Sequence, residues 1–213
     1  MRKISLSGVE ASFEGEAERL EPGAYVCIVQ AVEDHPDREY LSLVLGISEG
    51  PRKGFFDAPF FADKPWAHQV VMSYRDEERV LSMLKGRCEV IAGWNPGFDA
   101  VGAAEAGDFR AFLGRTVGVV FAQEERFDRK RRVFTCEGSA RPRRLITRAD
   151  MEAGRGDDPR PRMMDEARKR EAMAAAGLSR QEAEAILGGQ AGQAPAPAAP
   201  AAPAAPYDDE IPF

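Results

Sequence analysis

Between Tyr40 and Ile47 the chain alternates strictly: Leu41, Leu43, Leu45 and Ile47 fall on one side, Tyr40, Ser42, Val44 and Gly46 on the other. A period of two is the mark of a strand with one buried face, and a helix cannot satisfy it. Turn signals bracket this strand, His35-Pro36-Asp37-Arg38 before it and Gly50-Pro51-Arg52-Lys53-Gly54 after it. Beyond them stand Ala24 to Val32, rich in β-formers, and Phe55 to Phe61, where Pro59 implies an edge or a bulge. Three strands joined by short turns predict an antiparallel meander.

The character then changes. Asp76 to Gly86 reads as a helix, with Val80, Leu81 and Leu84 on one side and the acids Asp76, Glu77 and Glu78 near its N-terminus. Gly93-Trp94-Asn95-Pro96-Gly97 reads as a loop in which Trp94 caps the core, and Asp108 to Leu113 as a short helix closed by Gly114. Thr116 to Phe121 is a strong strand, and Val133 to Glu137 its expected hairpin partner across Asp128-Arg129-Lys130-Arg131. A meander, a helical insertion and a closing hairpin together predict a mainly β chain built on a five-stranded, partly open barrel of the OB type.

After Arg148 no strand signal remains. A charged connector from Arg155 to Pro161 leads into helix-prone Arg162 to Ala176, closed by Gly177. Ser179 with Glu182 three residues on has capping-box spacing for a helix reaching Leu187. From Ala194 to Pro206 only alanine and proline occur, five prolines in thirteen residues. This composition makes a semi-extended linker of roughly 40 Å at about 3.1 Å per residue, a disordered tail rather than part of a core. The expected organisation is an OB-like domain over 1–148, a charged connector with short helices over 149–190, the linker over 191–206 and a separate tip over 207–213.

Several classes of function are excluded by what is missing. No run of 18 apolar residues offers a transmembrane helix, and Gly8, Glu10, Ser12 and Glu14 interrupt any secretory signal, so no membrane partner is expected. Cys27, Cys88 and Cys136 are too few for a disulfide scaffold, which fits a reducing cytoplasm. His35 and His68 are the only histidines, and neither pairs with a cysteine or carboxylate at ligand or triad spacing. There is no Cys-x-x-Cys and no phosphate loop, so neither a metal nor another cofactor is expected, and the chain does not read as an enzyme.

The net charge of −6 argues against a histone-like duplex binder but leaves room for local positive charge. Such charge exists: from Arg126 to Arg148 there are nine basic and two acidic residues, a local charge of +7. Arg129, Lys130, Arg131 and Arg132 occupy the hairpin turn with Phe127 and Phe134 flanking it, and Arg141, Arg143 and Arg144 extend the track. Single-strand binding needs a basic groove and rings on which bases stack, and this stretch supplies both. The plainer reading is a hairpin kept soluble by charge with its phenylalanines in the core. A second aromatic cluster, Phe55, Phe56, Phe60, Phe61 and Trp66, has Arg52, Lys53 and Lys64 beside it. Strand alternation would put Phe55 and Phe56 on opposite faces, one in the core and one available as a platform.

The most telling segment is the C-terminal one, Tyr207-Asp208-Asp209-Glu210-Ile211-Pro212-Phe213. Acids followed by an apolar end, on a long tether, suit capture of a terminal ring and carboxylate by a partner. Asp208, Asp209, Glu210, Ile211, Pro212 and Phe213 resemble the acidic tip of bacterial single-stranded DNA-binding proteins, with Glu210 where that tip has another aspartate. The resemblance implies recruitment of replication, recombination and repair proteins of the host or phage. The body is similar to a phage-encoded group with an OB-like domain, through Pro22-Gly23-Ala24-Tyr25-Val26, Tyr40-Leu41-Ser42-Leu43, Lys53-Gly54-Phe55-Phe56 and Leu113-Gly114-Arg115-Thr116-Val117-Gly118-Val119-Val120 followed by Glu124-Glu125. That resemblance implies a phage or prophage origin. Two functions follow as expectations: a single-stranded DNA-binding protein that coats DNA and recruits partners through its tip, or an adaptor that binds a recombinase through the barrel. Self-association is compatible with either.

Overall fold

The computed structural model describes residues 19–188. The acidic N-terminal stretch, the Ala/Pro linker and the tip Asp208–Phe213 lie outside the described residues. Among the described residues two compact units emerge, one made of residues 19–125 with Cys136–Met163, the other of Arg126–Thr135 with residues 164–188.

The first unit is an OB-like antiparallel barrel. Its strands are β1 (Gly23–His35), β2 (Tyr40–Ile47), β3 (Gln69–Ser73), β4 (Thr116–Ala122) and, later in the chain, β7 (Arg141–Ile146), in sheet order β3-β2-β1-β4-β7. The outer strands β3 and β7 approach each other, so the sheet is nearly closed. Strand β1 makes this possible. A register shift between Val29 and Ala31 bends it, so that its first half pairs with β4 and its second half with β2. The leucine face of β2 lands as expected, with Leu41, Leu43, Leu45 and Ile47 in the core beside Cys27, Val29, Val117, Val119 and Phe121. The strand is not one-sided, however: Ser42, Val44 and Gly46 on the other face are buried too.

The helical insertion plugs the barrel. Helix α1 (Glu78–Trp94) runs eight residues beyond the expected end at Gly86, and buries Cys88, Ile91 and Trp94. Gly86 and Gly93 meet open space, so their cost of about 1 kcal/mol each relative to alanine is outweighed by the apolar face they link. Trp94 is therefore helical rather than in a loop, and it does cap the core. Its indole N–H donates to the carbonyl of Ile146 at 2.8 Å, and a Cβ on Gly118 would come within 2.6 Å of its ring. Only glycine fits at that point of β4. Asn95 then ends the helix, donating to Ile91 and Thr116 carbonyls and accepting from the Thr116 amide. A short helix α2 (Ala100–Glu105) and a 3-10 turn over Phe109–Phe112 complete the insertion. Helix α3 (Arg148–Glu152), capped by Thr147, follows β7.

Two expectations about strands are corrected. Phe55 to Phe61 is not a strand but two 3-10 turns, Phe55–Asp57 and Pro59–Phe61. Gly54 enters them in a left-handed conformation at φ 76°, and Pro59 has no N–H for a ladder, so the rings gather instead of alternating. The third strand is β3. The partner of β4 is β7 and not Val133 to Glu137. A separate hairpin, β5 (Arg126–Asp128) and β6 (Val133–Thr135), occurs in the connection between β4 and β7.

The second unit joins that hairpin to helices α4 (Glu166–Ala175) and α5 (Arg180–Leu187). Asp165 caps α4, and Ser179 with Glu182 forms the expected capping box on α5. Met173 and Ala183 are the buried positions of these helices.

Candidate nucleic-acid interface

In the barrel unit the candidate residues come from the β2–β3 connection and the start of β7. Phe56 is 5% exposed, stacked on His68 with ring centroids 4.5 Å apart and lying 5.8 Å from Phe121. It belongs to the core and offers no stacking face to a base. Phe55 and Phe61 are half-buried and pack edge-on against it at 5.2 and 5.1 Å. Two rings stay outside: Phe60 is 59% exposed and Trp66 51%. Each has a cation over one face. The Lys64 ammonium lies 3.5 Å from the Phe60 centroid, and the Arg141 guanidinium 4.7 Å from that of Trp66. Glu124 holds Arg141 in place at 3.4 Å and also meets Arg162 at 3.4 Å.

His68 anchors this arrangement. Its Nδ1 donates to the Leu45 carbonyl at 2.5 Å, while the Leu45 amide donates to the His68 carbonyl at 3.0 Å. Burial pulls its pKa below the usual 6.5, against the opposing pull of that carbonyl and of Asp57. The ring therefore sits neutral as an apolar slab between phenylalanines. Arg52 and Lys53 lie on the tight turn at the mouth of the same connection and line a cleft of about 440 Å³ with Phe55, Phe60 and Phe61. Arg143 is exposed on β7, while Arg144 donates to the Arg155 carbonyl at 3.2 Å.

The other candidates lie in the second unit. Phe127 and Phe134 are cross-strand partners 5.1 Å apart and half-buried, and the Lys169 ammonium lies 4.9 Å from the Phe134 ring. The turn is built by Asp128, whose carboxylate accepts from the Lys130 and Arg131 amides and is thereby held below its ordinary pKa. Arg132 takes a left-handed conformation at φ 55°. Two of the four basic turn residues are engaged with the helices, and Arg131 pairs with Asp128 at 3.9 Å within the turn. Arg129 donates to the Ala175 carbonyl at the end of α4, at 3.1 Å, and Arg132 pairs with Glu182 of α5 at 3.2 Å. A cation at a helix C-terminus is favourable. The basic tract that is continuous in sequence is thus divided between units, Arg129, Lys130, Arg131 and Arg132 in one and Arg141, Arg143 and Arg144 in the other.

In the sequence Lys64 is only a neighbour of the aromatic cluster and Arg141 has no evident ring partner. Phe60 and Lys64 are four residues apart, a spacing that lets side chains meet when the chain turns tightly. Nothing in the sequence pairs Trp66 with Arg141. Among the described residues, no group of three or more His, Cys, Asp or Glu could hold a metal ion, and no helix is long and apolar enough to cross a membrane. Cys27 and Cys88 are pushed up to about 12 and about 11 by burial, which leaves both thiols protonated. No family model matches the chain, and no curated protein or solved structure matches it.

Proposed function

We propose that this protein binds single-stranded DNA without catalysing a reaction, holding bases on the barrel's exposed rings and recruiting replication or recombination proteins through the tip Asp208–Phe213. One observation carries the reading: Trp66 and Phe60 stay exposed on an OB-like barrel, each with a cation set over one face. A ring so placed offers its other face to a base and a charge to the adjoining phosphate, and stacking tolerates any base. The connection between the fourth and fifth barrel strands, here carrying the β5–β6 hairpin, is one that OB barrels use to hold oligonucleotides. By contrast the β1–β2 connection, with Asp34, Asp37 and Glu39 around Arg38, is a poor phosphate track.

Trp66 reports on this directly, because the other tryptophan, Trp94, is buried. Oligothymidylate is expected to quench the fluorescence, and a polyphosphate of equal charge to leave it unchanged. Absence of both quenching and a gel shift would sink the reading. Removing Asp208–Phe213 should abolish capture of a replication or repair protein while leaving the melting temperature unchanged; the same partners recovered without the tip would make the tail a solubiliser.

The adaptor reading has one feature in its favour. An apolar groove of about 540 Å³, lined by Tyr74, Leu81, Leu84, Val101 and Phe109, runs along α1 and suits a protein partner better than a phosphate backbone. A chain that binds a recombinase but no oligonucleotide would establish it.

A further inference from the structure

The cleft at the mouth of the β2–β3 connection differs from the two exposed rings beside it. Phe60 and Trp66 offer flat faces; the cleft is concave. Its walls are Phe55, Phe60 and Phe61, Ala58 leaves it open, and Arg52 and Lys53 stand on its rim. At about 440 Å³ it falls within the range of roughly 300–1,000 Å³ typical of small-molecule sites.

It is also preformed. The Lys53 amide donates to the Gly50 carbonyl at 3.1 Å, the Gly54 amide to Ile47 at 2.9 Å, the Phe55 amide to Arg52 at 3.0 Å and the Asp57 amide to Gly54 at 2.9 Å. Those bonds fix the rim and the first wall before any ligand arrives, and Phe61 is held by packing on Phe56. A preorganised site loses little ordering entropy on binding.

We propose that this cleft receives one unstacked base of a bound single strand, with the phosphate of that nucleotide on Arg52 and Lys53. The proposal rests on the single-strand reading above and adds a register to it. An apolar slot under two cations asks for a flat ring joined to an anion by a short spacer, and a nucleotide is such a group. Phe60 belongs both to the slot wall and to the exposed ring-and-cation pair with Lys64, so a strand stacked on Phe60 is continuous with the slot. The strand then meets one recessed position among flat ones, and binding depends on which nucleotide lies there.

The test uses the full chain and oligothymidylates carrying a single 5-iodouracil or a single abasic residue at successive positions. Irradiation should crosslink the iodouracil to the Phe55–Phe61 segment from one or two positions only, and an abasic residue at those positions should weaken binding about tenfold. Ala58 is exposed, so A58W fills the cleft without removing a ring or a charge. This variant should keep the wild-type melting temperature, lose the crosslink, bind the intact strand about tenfold more weakly and become indifferent to the abasic residue. If A58W binds and crosslinks like the wild type, or if abasic scanning is flat, the slot is not a base site, although the DNA-binding reading survives. If no oligonucleotide binds at all, both fall. Displacement of a bound strand by a Tyr-Asp-Asp-Glu-Ile-Pro-Phe peptide but not by thymidine monophosphate would assign the cleft to an acidic peptide and overturn the proposal.

Discussion

The barrel's aromatic connection and the β5–β6 hairpin have nearly the same composition, phenylalanines among arginines and lysines, and the fold uses them differently. In the barrel unit the cations cover exposed rings, Lys64 on Phe60 and Arg141 on Trp66, while Lys64 also donates to the Phe60 carbonyl at 2.9 Å and Arg141 meets Glu124 at 3.4 Å. In the hairpin unit Arg129 and Arg132 are held by a helix-end carbonyl and by Glu182. A basic cluster in sequence therefore states how much charge is present, not what that charge faces. A cation over an exposed ring keeps a face for a ligand beside it. The cations of both regions have polar partners, so the difference lies in the rings: Phe60 and Trp66 are exposed, whereas Phe134 under Lys169 is half-buried.

The largest expected effect separates the two tryptophans of the barrel unit. Trp94→Ala removes a buried indole and the hydrogen bond to Ile146, and should cost about 3–5 kcal/mol of stability in chemical denaturation. Trp66→Ala should leave that denaturation curve in place and cost about 1–3 kcal/mol of oligonucleotide affinity, read by anisotropy. Equal losses of stability in both variants would show that the exposed ring is structural, and the comparison of regions would lose its first half.

The hairpin breaks into pairs. Replacing Lys130 and Arg131 with alanine should lower the log–log salt slope of single-strand binding by about 1.4, at about 0.7 per phosphate. Replacing Arg129 and Arg132 should instead speed amide exchange in α4 and α5, because those side chains hold the hairpin to the helices. A slope that falls alike for both pairs, with exchange unaltered, would mean that all four reach DNA. A smaller effect tests the helices alone: Ser179→Ala deletes the N-cap of α5 and should cost about 1 kcal/mol of that unit's protection, without altering the barrel's.

The smallest effect is in pH, and it should differ between the units. His68 has a folded pKa below its ordinary 6.5, so the unfolded chain takes up the proton first. Its contribution is fully present above about 6.5 and declines as pH falls below that value towards the folded pKa. Asp128 and Glu182 of the hairpin unit are held below their ordinary 3.8 and 4.5, mainly by backbone amides of Arg131 and Ser179. Their contribution is complete above those values and is lost only as pH falls through the lower folded pKa. Exchange measured from pH 7 to 4 should therefore loosen the amides around Leu45 and His68 before those of the turn and α5. Simultaneous loss would tie the units into one cooperative body.

Local patterns were legible where one chemical cause sufficed. The strand from Tyr40 to Ile47 with its leucine face inward, the Ser179–Glu182 capping box and the strand beginning at Thr116 all stand in the structure, although both faces of that first strand are buried. The Phe55 to Phe61 stretch misled because aromatic content suggests a strand, whereas Gly54 and Pro59 bend the backbone before any ladder forms. Gly86 misled in the opposite direction, since glycine ends a helix only when nothing beyond it gains from burial.

Short-range chemistry set the mainly β body, the strands β1, β2 and β4 and the supply of rings and positive charge, because periodicity and turn signals act over a few residues. Tertiary structure alone decided the pairing of β4 with β7, which left Val133–Thr135 to fold back on Arg126–Asp128. It decided that Phe56 is core while Phe60 is not, and that Arg141 lies over Trp66 from 75 positions away. Such contacts join residues distant in sequence, and their energy exists only once the barrel has closed around a shared core, so no local pattern carries it.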